Sequence, residues 1–322
     1  MNKKRALVLS GGGAIGAFQF GAIKFIYEQV KPRISDYHFN LIVGVSVGSL
    51  NGVMLAMDKY STLEKMWDTI SNDKVYFGNL KVWSAVWKIA WNAKAILSND
   101  PLKKLIQELV HLKDVRHDLY DFRFGVVSLL SGEYYLLNAH HFSSDKELQN
   151  AILASTSMPI VWPPVEEIRT KDNIALTQLV DGGLRNVSPL GDVVDENPDE
   201  IVIINCSQEQ VENSATAAQN ILHIAQRSLT EIAINEIFRA NVKQFMKLNS
   251  IIEQLPEGVV VKKSNGRVYK KFKSILIEPN QKMGDVLDFS QNLVQFRIQQ
   301  GYEAARKQFQ QLYPEMDFYT AT

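Results

Sequence analysis

Phe39-Asn40-Leu41-Ile42-Val43-Gly44-Val45-Ser46-Val47-Gly48-Ser49-Leu50-Asn51-Gly52-Val53-Met54-Leu55-Ala56 decides how this chain is read. The apolar run Phe39 to Val43 predicts a strand and Leu50 to Ala56 predicts a helix, so Ser46 falls on the turn between them. Gly44 and Gly48 remove the side chains that would collide where a strand reverses into a helix. A serine exposed on such an elbow is a candidate nucleophile once a base and oxyanion donors reach it. The Gly-x-Ser-x-Gly pattern alone is also found in plain turns. The rest of the chain must supply the partners.

Upstream, Ala6 to Ser10 predicts a strand and Ala17 to Val30 a helix, joined by Gly11-Gly12-Gly13-Ala14-Ile15-Gly16. Gly11, Gly13 and Gly16 satisfy the spacing of a dinucleotide-binding loop. That fold requires an acidic residue at the end of the next strand to hold the ribose. Here the next strand ends in Gly44-Val45-Ser46, and Asp36 precedes it, so a nicotinamide or flavin cofactor is not expected. Successive glycines at a helix N-terminus also bare their backbone N–H groups where the helix dipole favours negative charge. An oxyanion formed on an ester carbonyl would be received there. A tight turn that merely packs helix on strand is the competing reading.

Further strands are expected at Phe122 to Leu130, Tyr134 to Asn138, Leu176 to Val180, Ile201 to Asn205 and Ser274 to Glu278. Strands alternating with helices imply an α/β protein with a mostly parallel sheet covered on both faces. Ser131-Gly132 marks one antiparallel hairpin. Apolar residues at helical spacing predict helices over 220–249 and 285–313, the second stopped by Pro314. We expect one domain over 1–322, with a mostly helical insertion at about 62–115. Within it Trp83, Trp87 and Trp91 form a stripe on one helix face. The stripe reads first as a face packed on the core, and alternatively as a peripheral membrane contact.

Asp181 ends an apolar strand and precedes Gly182-Gly183, a supporting loop able to approach the elbow closely. In a Ser-His-Asp triad a histidine would stand between acid and serine. Of His38, His111, His117, His140, His141 and His223, only the last follows Asp181 in the usual hydrolase order, and it lies in a helical pattern that suits a surface or packing residue. A direct pair of Ser46 and Asp181 needs a carboxylate whose basicity is raised by an apolar pocket.

Four ordered segments now form a pattern: Gly11 to Gly16, Gly44 to Asn51, Ala154-Ser155-Thr156-Ser157-Met158-Pro159 with Pro163-Pro164-Val165, and Asp181-Gly182-Gly183. Together the chain resembles the patatin-like phospholipases, from about Lys4 to about Pro189, and Gly301-Tyr302-Glu303-Ala304-Ala305 resembles the closing helix of bacterial members. The resemblance implies a three-layer α/β/α fold and a Ser–Asp dyad without histidine. It implies Ser46 as nucleophile, Asp181 as base, and Gly11, Gly12 and Gly13 as the oxyanion hole, with no metal and no cofactor. Members usually carry Arg or Lys where this chain has Ile15, which bears on head-group preference. The expected activity is hydrolysis of fatty-acyl esters of phospholipids or related lipids. An acyltransferase using the same acyl-enzyme, and a lipid-binding protein with weak turnover, are the alternatives.

Composition sets outer limits. The 322 residues contain 35 basic and 35 acidic side chains, so no net field suggests nucleic acid as a partner. Lys262-Lys263, Arg267, Lys270-Lys271 and Lys273 make one local basic stretch, read first as a solvated hairpin turning at Ser264-Asn265-Gly266 and otherwise as a contact for anionic lipid. One cysteine, Cys206, excludes an intrachain disulfide. The apolar stretch after Lys3-Lys4-Arg5 is too short for a secretory signal, and no run is long enough for a transmembrane helix. The expected location is cytoplasmic or peripheral at a membrane.

Overall fold

The strands Arg5–Leu9 (β1), Leu41–Val45 (β2) and Glu200–Ile204 (β7) are buried at every residue, as strands covered on both faces are, and the two charged residues that open β1 and β7, Arg5 and Glu200, pair with each other at 3.8 Å. The computed structural model describes residues 3–78, 93–207, 224, 227–256, 259–262, 266 and 268–318. The other strands are Asp121–Ser128 (β3), Tyr134–Asn138 (β4), Val165–Arg169 (β5), Ala175–Asp181 (β6) and Lys273–Ile277 (β8). The helices are Gly16–Phe25 (α1), Val47–Ala56 (α2), Tyr60–Thr69 (α3), Asn72–Val75 (α4), Asp100–Leu109 (α5), Asp145–Thr156 (α6), Leu190–Asp195 (α7), Ile234–Glu253 (α8) and Gln291–Leu312 (α9).

The sheet runs β5-β6-β3-β2-β1-β7-β8, with β4 paired to β3 off this path. The pairings from β3 through β2, β1 and β7 to β8 are all parallel, and β4, β5 and β6 are joined by antiparallel pairings. Alternate residues point to opposite faces. Leu7, Leu9, Ile42, Val202 and Ile204 join the core that holds α1, α2 and α9. Ala6, Val8, Leu41, Val43, Ile201 and Ile203 face a second core that includes Leu190 and Val193 of α7 with Val242 and Phe245 of α8. The result is the three-layer α/β/α arrangement with a mostly parallel central sheet.

The register on β3 brings two strand ends together. Its residues Arg123 to Gly125 pair with both β2 and β4, so these two strands lie on opposite edges of β3. Val126 and Val127 pair with both β4 and β6, which places β6 on the same edge as β2. Val45 is opposite Gly125 and Asp181 opposite Val126. Strands β2 and β6 therefore meet end to end along one edge, which brings Ser46, the residue after β2, to Asp181, the last of β6.

Helices α1 and α9 pack closely enough to require glycine. A Cβ added at Gly301 would overlap the Phe18 carbonyl, and one at Gly21 would overlap that of Ile298. Gly301→Ala is expected to destabilise the protein by about 3 kcal/mol, since backbone on both helices must move apart. Gly191 on α7 has open space around its Cβ position, so Gly191→Ala should stabilise by about 0.5–1 kcal/mol through helix propensity. Urea-unfolding midpoints of the two variants check both signs.

Some boundaries differ from expectation. The strand before the elbow is shifted to Leu41–Val45, and β5 is an additional, mostly exposed strand. The last helix begins at Gln291, not at 285, because the Asp285 carboxylate accepts the Leu287 amide (2.8 Å) and Asp288 accepts that of Ser290 (2.8 Å). Such local turns compete with helix. Of the pattern over 220–249, Ile234–Glu253 is α-helical after a π-helical stretch at Arg227–Ala233. His223, Trp83, Trp87 and Trp91 lie outside the described residues, as do Lys263, Ser264, Asn265 and Arg267. Lys262 and Val268 form an antiparallel bridge around that last segment. No helix among the described residues is long and apolar enough to cross a membrane.

Candidate active site

Ser46 separates β2 from α2 and has φ 56° and ψ −127°. A non-glycine residue in this region stores strain on the order of 1–3 kcal/mol, held by its surroundings. Those surroundings are the close approach of backbone that Gly44 and Gly48 permit: a Cβ on Gly44 would strike the Gly48 carbonyl, and one on Gly48 the Leu9 carbonyl. The Ser155 hydroxyl completes the support. It donates to the Gly125 carbonyl (2.8 Å) and accepts from the Ser46 amide (3.2 Å), bridging β3 to the elbow.

Asp181 is buried, and its Oδ1 accepts the Gly183 amide at 2.8 Å. Its own amide donates to the Ser157 carbonyl at 3.0 Å. Burial raises its pKa to about 6, while interactions with the Ser46 hydroxyl and the Gly183 amide pull the other way. Desolvation of the carboxylate wins because two hydrogen bonds do not replace water around a charge. Gly182 permits the close contact, since a Cβ there would press on the Gly125 carbonyl.

The glycine loop meets the elbow from the other side. The Cβ position of Gly11 lies 3.2 Å from the Ser46 Cβ. The Gly11 amide donates to the Val187 carbonyl at 3.3 Å, and the Ala14 amide donates to that of Val286 at 2.7 Å. Among the described residues the Gly12 and Gly13 amides donate to no loop carbonyl, unlike the Gly11 amide. Gly13 has φ +54°, and its Cβ position is closed by the Val286 carbonyl.

A buried polar chain behind the loop escaped sequence reasoning. Trp67 Nε1 donates to Asn51 Oδ1 (3.0 Å), Asn51 Nδ2 to Gln19 Oε1 (3.0 Å), and Gln19 Nε2 to the Ser10 carbonyl (3.0 Å). It fastens α3 and α2 to the start of the glycine loop. Amides placed in otherwise apolar helices were its available signal, because a buried amide needs partners.

Two clefts share Ser46 and Gly13. One is almost wholly apolar, with Leu50, Ile70, Val75, Leu102, Leu105 and Trp162 in its wall. The other holds Gly11, Gly12 and Asp181, and is walled by Ile15, Met158, Pro159, Leu184 and Cys206 among others. Cys206 is a free, buried thiol raised to about 12 by burial. None of the described histidines lines either cleft. His111 faces Asp145 at 3.0 Å, and His117 stacks on His140.

A family model described as patatin-like phospholipase matches residues 7–194, which include the glycine loop, Ser46 and Asp181. Among solved structures, the crystal structure of VipD from Legionella pneumophila is similar, with a TM-score of 0.41 and 13% sequence identity over 97% of this chain and 67% of that one. No curated protein sequence matches. Since the family match takes in more than half of the chain, this protein belongs to the patatin-like phospholipases, a family of lipid acyl hydrolases.

Proposed function

We propose that the protein hydrolyses fatty-acyl esters of phospholipids or related lipids through a Ser46–Asp181 dyad and an acyl-enzyme. The observation that carries this reading is the end-to-end meeting of β2 and β6, which sets a strained serine beside a buried carboxylate of raised pKa. Ser46 Oγ bonds to the ester carbonyl carbon while its proton passes to Asp181. The oxyanion is received by the Gly12 and Gly13 amides at the N-terminus of the helix they precede. Collapse breaks the ester bond, and the leaving alcohol takes the proton from Asp181. Water then attacks the acyl-enzyme with Asp181 again as base, releasing the fatty acid and restoring Ser46.

The apolar cleft takes the acyl chain, and the cleft bearing Ile15 takes the alcohol portion. Leu105→Trp, which fills the acyl side, is expected to lower kcat/KM for long-chain nitrophenyl esters by about 100-fold, on the scale of losing a few buried methylenes, and to leave the butyrate ester within about 3-fold. Equal losses on both esters would remove the acyl assignment from this cleft. The mechanism itself is tested by incubating the protein with mixed phospholipid vesicles and with nitrophenyl esters, then locating any acyl adduct by peptide mass. An adduct on Ser46 and free fatty acid are expected. New esters formed with an added alcohol would assign transfer in place of hydrolysis, and vesicle binding without acyl release would assign a lipid-binding role.

A further inference from the structure

The family match ends at residue 194, yet the glycine loop is braced by residues far beyond it. The segment between β8 and α9 lies against the loop, where Val286 also lines the cleft that holds Asp181 and its carbonyl accepts the Ala14 amide at 2.7 Å and closes the space beside Gly13. This segment is itself held by Arg297 of α9, which is fully buried. Arg297 Nε donates to the Met283 carbonyl (2.7 Å), Nη2 to that of Asp285 (2.7 Å), and Nη1 to those of Asp288 (2.7 Å) and Ala14 (3.2 Å). One guanidinium thus joins both sides of the contact between the 283–288 segment and the glycine loop.

Two further features separate this arrangement from ordinary helix docking. The α1–α9 contact is already secured by glycine-permitted backbone approach and by Ile298, Tyr302, Ala305 and Phe309, whereas the Arg297 bonds all go to loop residues. The nearby Asp285 and Asp288 carboxylates are turned to the Leu287 and Ser290 amides, so the hydrogen bonds of the guanidinium are all to carbonyls. Burial of a charge on such terms is costly unless every donor is used. Burial lowers its pKa to about 10, so it remains protonated at neutral pH.

We propose that Arg297 is a positioning residue of the acyl-transfer site, clamping the 283–288 segment and Ala14 so that the Gly12 and Gly13 amides stay aimed at the oxyanion. The proposal rests on the hydrolase reading above. Because Arg297 acts through the loop, its loss lowers transition-state stabilisation and leaves ground-state binding of a small ester in place.

The test compares the full chain with Arg297→Gln and Arg297→Lys, using nitrophenyl butyrate kinetics, thermal unfolding and amide hydrogen exchange. Arg297→Gln is expected to lower kcat about 30-fold or more with KM within about 3-fold, somewhat less than removal of a direct oxyanion donor. Exchange should quicken at Ala14 and Ile15, whose amides donate to the Val286 and Gly12 carbonyls, while α1 and α9 keep their protection. Arg297→Lys, which retains the charge but not the fork of donors, should fall between. Wild-type kcat with unchanged loop exchange in a folded variant would overturn the proposal, as would protection lost evenly through α1 and α9. If Arg297→Gln does not fold, Arg297→Lys decides by the same kcat-against-KM split. Absence of turnover that depends on Ser46 in the unsubstituted protein would instead defeat the hydrolase reading, and loop exchange would then judge the clamp alone.

Discussion

Ser46→Ala will lower kcat for ester hydrolysis by about 10⁴- to 10⁶-fold, the range seen when a serine nucleophile is removed from a site that keeps its oxyanion donors. The substitution preserves the elbow and its backbone contacts, so unfolding should be nearly unchanged. Ser46→Gly should be equally inactive but more stable than the parent by about 1 kcal/mol, because glycine accepts φ 56° without the strain that serine stores. Activity measured with nitrophenyl esters and stability measured by urea unfolding separate these effects. A Ser46→Ala protein that turns over at the parental rate would remove the nucleophile assignment.

Asp181→Asn will lower kcat by about 10³- to 10⁴-fold through loss of the base and will at the same time stabilise the fold above neutrality. The Asp181 pKa stands at about 6 in the fold, above the usual carboxylate value of about 3.9. A carboxyl shifted upward binds its proton more tightly folded than unfolded, so its contribution to stability falls as pH rises from about 4 to about 6. Above about pH 6 the charged form is buried at a penalty on the order of 2–3 kcal/mol, which the neutral amide escapes. Asn should therefore gain its advantage across that window and show little below pH 4. In the parent, kcat/KM should rise with pH through about 6 and then level off, since only the ionised carboxylate accepts the Ser46 proton. A flat profile from pH 5 to 8 would contradict Asp181 as the base.

Much of this was legible because the central strands are apolar on both faces and the glycines mark their ends. β1, β4 and β7 fall within a residue of their expected spans, and the elbow stands where Gly44 and Gly48 bracket Ser46. β5 was hidden because Val165-Glu166-Glu167-Ile168-Arg169 lacks clean alternation, and only Ile168 is buried. The apolar pattern places the start of α9 too early because it does not register that Asp285 and Asp288 turn their carboxylates to local amides. Arg297 looks in sequence like any basic residue on a solvated helix. Its burial depends on carbonyls from Ala14 and the 283–288 segment, and no local spacing announces contacts across so much chain.

The end-to-end abutment of β2 and β6 also ties chemistry to the order of folding. Neither strand contains both members of the pair, and the two become neighbours only after β3 has captured each on the same edge. The first capture closes a loop spanning β2 to β3, and the second closes another running from β3 through α6 to β6. Such non-local closures are slow to form and yield little until complete. Ester turnover during refolding is consequently a late signal: helix content will recover first, and activity will return only when the strand order around β3 is finished.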